Sequence, residues 1–287
     1  MADKHVDELS GVETTGHVWD GIRELNNPLP RWWVWTFYAC IIWAFGYTIF
    51  YPAWPLLTEN TKGIWNVTNR SVLKDELAVA SGAQKVFVDK IAAMPVAEIV
   101  KDKSLSEFAT AAGAAAFKVN CTPCHGSGAQ GGVGYPNLND NDWLWGGSAE
   151  QIYTTIAHGI RDTGDPDTRV SEMPAFGEML KPEEIQNVAA YVADLSKQPV
   201  TSGDPAAGKE VFATNCVACH GDQAQGNRDL GAPNLSDAIW LKGSGEAAII
   251  AQVTKPKHGV MPAWTVRLGD TTVKELAVFV HSLGGGE

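Results

Sequence analysis

Lysine and arginine are outnumbered in this chain, 22 against 33 aspartates and glutamates, for a net charge of −11. No basic stripe is available to neutralise phosphates, which excludes nucleic acid as a partner. Cysteine is scarce, with five in 287 residues. Cys40 sits in an apolar stretch, where it reads as an inert packing thiol, and the other four form two pairs. That distribution builds no disulfide scaffold. Low-complexity tracts are missing, and 45% hydrophobic residues supply enough apolar material for real cores in two or three compact units. Around the paired cysteines no run reads as a strand, so all-α domains are expected there.

Charge is also absent from Trp32 to Tyr51, a run of 20 residues. At 1.5 Å per residue that length spans a bilayer core of about 30 Å. Trp32, Trp33 and Trp35 crowd one end and Tyr51 and Trp54 the other, as aromatic belts do at membrane interfaces. A cleaved signal peptide would start earlier and end at small residues, whereas this run ends in YPAWP. An uncleaved, single-pass anchor in membrane lipid is expected over 31–52. Arg23 and Arg31 before it and Lys62 and Arg70 after it leave its orientation undecided by charge.

The rest of the chain repeats itself. AGAAAFKVNCTPCHGSGAQG (112–131) aligns with AGKEVFATNCVACHGDQAQG (207–226). PNLNDNDWL (136–144) aligns with PNLSDAIWL (233–241), and MPAFGEML (173–180) with MPAWTVRL (261–268). A period of about 90 residues is a small domain duplicated, too long for a solenoid unit. In each copy a Gly-x-x-x-Phe helix runs into the cysteines, a middle helix follows, and an apolar stripe marks a closing helix. That stripe is Ile185, Val188, Ala189, Val192 and Leu195, then Val273, Leu276, Val280 and Leu283. Phe117 with Tyr191, and Phe212 with Phe279, are the expected helix-crossing pairs. The predicted organisation is an N-terminal segment 1–30, the anchor, a linker with short helices over 53–105, and one all-α domain per repeat copy at 106–198 and 199–287.

Cys121-Thr-Pro-Cys124-His125 and Cys216-Val-Ala-Cys219-His220 carry the chemistry. Two thiols three positions apart can reach both vinyl groups of a porphyrin, and the adjacent histidine then lies under the iron. Zinc wants four ligands grouped locally, and a redox CxxC wants a βαβ setting; neither is present. Two covalent haem c groups are therefore predicted. Met173 and Met261 occupy matched Met-Pro loops and are the expected sixth ligands, each paired from compactness with its own domain's haem. Met94, Met179, His158 and His258 are weaker candidates, Met179 reading as packing. Pro136 and Pro233 offer carbonyls to the histidine Nδ1, and Trp143 and Trp240 offer indole N–H groups to a propionate; all four serve equally well as core or turn residues. Because thioethers to haem form outside the cytoplasm, everything after residue 52 should lie there, with the N-terminus inside.

The stretch HVWDGIRELNNPLPRWW (17–33), with Tyr51-Pro52 and Pro55 after the apolar run, resembles the N-terminal signature of the dihaem subunit III (FixP or CcoP) of cbb3-type cytochrome c oxidases. The resemblance covers essentially the whole chain. It implies an electron-transfer subunit of the bacterial inner membrane, without catalysis of its own. Electrons would pass from a donor cytochrome c or a bc1 complex through two haems to a monohaem subunit. They would then reach a proton-pumping haem–copper subunit that reduces O2. It makes DGIRELNNPLP (20–30) a docking element, which the residues alone read only as a cytoplasmic turn. A free-standing dihaem carrier of another respiratory chain is the alternative.

Overall fold

The computed structural model describes residues 5–285. The chain divides into two units between Ala83 and Gln84.

In the first unit, β1 (Thr14–Trp19) and β2 (Ile22–Leu25) pair antiparallel, with Trp19 opposite Ile22. Asp20 and Gly21 link them with φ of 49° and 86°, the hand that matches strand twist in a two-residue hairpin. The stretch read from sequence as a turn is thus half of a small sheet. An Asp-Gly pair flanked by β-formers was the signal for it. Next, α1 (Arg31–Phe50) starts behind Pro30 and has no buried residue. Among the described residues it is the one helix long and apolar enough to cross a membrane. Where short helices were expected, α2 (Asn69–Ala93) runs for 25 residues across the division, uninterrupted by proline.

The second unit holds the repeat. Asp102 caps α4 (Lys103–Asn120) by accepting from the Ser104 and Leu105 N–H groups, just after α3 (Val96–Lys101). The one-turn helix α5 (Thr122–His125) follows, and a Ser148/Gln151 capping box starts α6 (Ala149–His158). Pro182 opens α7 (Pro182–Leu195) and Pro205 opens α8 (Pro205–Asn215), both at a position where a missing N–H costs nothing. Then come α9 (Val217–His220), α10 (Glu246–Thr254), α11 (Thr265–Leu268) and α12 (Asp270–His281).

The closing helix of each repeat packs on the other repeat. The last helix, α12, packs on α4 and α6 from the first copy, and α7 packs on α8 and α10 from the second. One core therefore joins Leu105, Phe117, Ile152 and Ile156 to Val273, Leu276 and Val280. The other joins Phe176, Ile185, Val188 and Val192 to Phe212, Ile249 and Val253. The aromatic pairs are exchanged relative to expectation: Phe117 meets Phe279 at 5.3 Å, and Tyr191 meets Phe212 at 5.4 Å. Glycine makes both crossings possible. A Cβ on Gly113 would run into the Glu275 carbonyl, and one on Gly208 into the Asn187 carbonyl. The first bundle is assembled from the two ends of the unit, and the second is continuous in sequence.

The α7–α8 link is tied down by Glu246, which is 3% exposed. Its carboxylate accepts from the Thr201 and Ser202 hydroxyls and backbone N–H groups. Burial alone would raise its pKa, but these bonds outweigh burial and hold it down at about 2. Because the folded pKa lies below the unfolded value, Glu246 stabilises the fold above pH about 4.5, and that contribution disappears as pH falls towards 2. Glu246→Gln should cost about 1–3 kcal/mol at neutral pH. It should also flatten the acid limb of stability between those values, as urea melts at stepped pH would show.

Candidate functional site

Each cysteine motif is built as a helical turn. Helix α4 runs directly into Cys121, whose carbonyl accepts from the His125 N–H at 2.9 Å; Cys216 and His220 repeat this at 2.9 Å. The i, i+3, i+4 spacing puts both thiols and the imidazole of each motif on one side of the turn. Behind them, His125 Nδ1 lies 3.1 Å from the Pro136 carbonyl and His220 Nδ1 lies 3.0 Å from the Pro233 carbonyl. A carbonyl only accepts, so each Nδ1 carries the proton and each Nε2 keeps a free lone pair. Burial lowers the pKa of both histidines, despite the opposing effect of those bonds, which favours the neutral ligand form. Burial pushes the Cys121 and Cys216 thiols up to about 11, helped by the second thiol of each pair. Neither pair joins a three-ligand cluster among the described residues.

The two Met-Pro loops lie where the exchanged helices carry them. Met261 packs against the core that contains Phe117 and Cys121, and Met173 against the core that contains Phe212 and Cys216. The Met261 loop is pinned to the end of α6. Met261 and Ile160 exchange backbone hydrogen bonds of 2.9 and 3.0 Å, and the Trp264 N–H donates to the Ile156 carbonyl at 3.1 Å. Compactness within a repeat would have put Met173 beside His125 instead. Both cysteine motifs, both histidines and both methionines line one continuous cavity of about 890 Å³.

The other candidates separate clearly. Trp240 Nε1 is buried and has no hydrogen-bond partner, although Trp240 lines the cavity. A buried donor left unpaired costs about 1–3 kcal/mol, so it calls for an acceptor that the chain itself does not supply. Trp143 differs from its counterpart: its indole N–H donates to the Gly285 carbonyl. Met94 packs against the first core, while Met179, expected to pack, is exposed. His158 Nδ1 lies 3.2 Å from both Asp165 carboxylate oxygens, and His258 lines the cavity. Arg161, also on the cavity wall, has no counterpart in the matched repeat segments, and sequence comparison of the two copies passes over it.

Tautomer-fixed neutral imidazoles, paired thiols, apolar walls and an orphaned buried donor together fit haem c. The residues that would hold it are Cys121, Cys124 and His125 in one bundle, and Cys216, Cys219 and His220 in the other.

Residues 11–58 match the family described as the N-terminal domain of cytochrome oxidase-cbb3, FixP. Residues 108–192 and 203–280 match cytochrome c oxidase, cbb3-type, subunit III. The chain is 63% identical to the cbb3-type cytochrome c oxidase subunit FixP of Rhizobium meliloti, over all of both chains. It is 52% identical to the FixP subunit of Bradyrhizobium diazoefficiens, over 98% of each chain. With the CcoP subunit of Cereibacter sphaeroides it shares 49% identity, over 96% of this chain and 95% of that one. The chain belongs to the FixP/CcoP family, the membrane-anchored cytochrome c subunit of cbb3-type oxidases.

Proposed function

We propose that this chain carries two covalent haem c groups with crossed axial ligands, His125 with Met261 and His220 with Met173, and relays electrons between them. Haem iron supplies one-electron redox chemistry, and a thioether opposite histidine raises its potential. The chain's own residues do the rest. Cys121, Cys124, Cys216 and Cys219 fix the groups covalently. Pro136 and Pro233 hold the imidazole rings in the ligating tautomer, and the unpaired Trp240 N–H would be available to a propionate. Two sulfur ligands leave no open coordination position, which suits electron transfer and disfavours O2 chemistry within this subunit. The observation that carries the reading is the shared cavity: both cysteine motifs and both Met-Pro loops line it together.

In this reading 31–52 crosses the bacterial inner membrane. The hairpin at 14–25 then lies in the cytoplasm and the haem units in the periplasm. Electrons enter from a donor cytochrome c or a bc1 complex. They leave to a monohaem cytochrome subunit, and from there reach the haem–copper subunit where O2 is reduced. Purification in mild detergent tests the assignment. Protohaem, copper and two further chains should accompany this one, with two alkali- and acetone-resistant haems on this polypeptide. Recovery of this chain alone, with full haem content, would instead support a free-standing dihaem carrier.

A further inference from the structure

Arg161 lies in the connection between α6 and the first Met-Pro loop. Its backbone has φ of 54°, a left-handed conformation uncommon for a residue with a side chain. Its bonds account for that geometry. The Arg161 N–H donates to the Arg169 carbonyl at 2.7 Å, while the preceding Ile160 is paired with Met261. The guanidinium then bridges two carbonyls: Nε donates to Gly259 at 2.8 Å and Nη1 to Ser171 at 2.7 Å. Gly259 stands two residues before Met261, and Ser171 two residues before Met173. One half-buried side chain therefore ties together corresponding points of the two methionine loops, on the wall of the cavity that both share.

We infer that Arg161 is a positioning residue for both methionine ligands at once, a clamp that couples the geometry of the two iron sites. The inference rests on the crossed His/Met reading above. Arginine suits the task because Nε and Nη1 are held in one planar fork, so fixing one bond aims the other. Lysine carries the same charge but has no fork to span two acceptors. Partners of this kind, which orient a metal ligand without touching the metal, typically change site properties by about 10–100-fold when removed. Arg169 provides the comparison. Its Nη1 donates to the Trp145 carbonyl at 2.9 Å, and its guanidinium lies 5.0 Å from the Trp145 ring centre, so it bonds to neither methionine loop.

The full-length holoprotein in detergent provides the test, with Arg161→Gln, Arg161→Lys and Arg169→Lys compared to the unsubstituted chain. The readouts are the far-red absorption that reports the Met–iron bond in oxidised haem, CO binding by the reduced form, and a potentiometric titration. Both Arg161 variants should lose far-red intensity at both haems and admit CO to both. Each midpoint should fall by about tenfold in the reduction equilibrium, 59 mV for one electron. Arg169→Lys should leave all three readouts unchanged. Retention of both Met–iron bonds in Arg161→Lys, a response at one haem alone, or an equal response in Arg169→Lys would each overturn the inference. Should Arg161→Gln fail to accumulate, Arg161→Lys decides the matter. A missing far-red band in the unsubstituted protein would sink the ligand reading itself, a result distinct from unaltered Arg161 variants.

Discussion

Met261→Leu should lower the potential of the haem attached at Cys121 and Cys124, while the haem attached nearly a hundred residues later keeps its own. The expectation follows from packing. Met261 lies against the core that holds Phe117 and Cys121, and two backbone hydrogen bonds to Ile160 fasten it there. Leucine fills nearly the same volume and offers no lone pair, so the loop should survive while the iron loses its sixth ligand. Axial ligands move haem potentials over roughly 0.8 V, which makes this one of the largest single-residue effects available in the protein. The opened iron should also bind CO in the reduced state. Assignment to a particular haem needs one further change. In a chain carrying Cys216→Ala and Cys219→Ala, only the first motif can retain haem. There Met261→Leu should abolish the His/Met signature and Met173→Leu should spare it. The opposite pattern would mean that each repeat ligates its own haem, and the exchanged packing would then have no bearing on coordination.

The residues of the candidate site stand out in the sequence because the chemistry proposed for them is local. Two thiols, an adjacent imidazole and a proline carbonyl must sit at short, fixed separations, and the two copies print that pattern twice. The anchor was legible for a similar reason, since 20 uncharged residues have few other uses. The exchange of helices was not. Gly113-x-x-x-Phe117 can cross a helix bearing Phe279 as well as one bearing Tyr191, because duplication made the two crossings nearly interchangeable. The difference lies in the connection. Helices α7 and α8 are separated only by residues 196–204, and that link is bonded to Glu246 and to the Asn187 side chain. A short connection favours packing of consecutive helices against each other, which leaves α4 to be covered by the last helix of the chain. Arg161 escaped for another reason: its value lies in two carbonyls 10 and 98 residues further along the chain, and no spacing rule predicts such a pair.

Cutting the chain separates the two descriptions of its architecture. A fragment covering 171–257 contains Met173, α7, α8, the second cysteine motif and α10 in one continuous stretch, with Phe176, Ile185, Val188, Val192, Phe212, Ile249 and Val253 as its core. Expressed with the haem-attachment machinery, it should fold and hold one covalent haem, with the Met–iron band weakened because the fragment lacks Arg161. A fragment covering 106–198 follows the sequence repeat and should not fold. It lacks Val273, Leu276 and Val280, each no more than 4% exposed in the whole chain, and so bares the face of α4 that carries Gly113 and Phe117. Burying a Val or Leu side chain is worth about 1.5–3 kcal/mol, so three of them supply roughly 5–9 kcal/mol, against a total stability of about 5–15 kcal/mol for a domain. Its α7 would also be left without α8, exposing the Ile185, Val188 and Val192 stripe. Circular dichroism melts, covalent haem stain and the far-red Met–iron band measure the outcome on both fragments. A cooperative melt and a six-coordinate haem in 106–198 would mean that the repeat is the folding unit after all, and that α12 is dispensable to the bundle it covers.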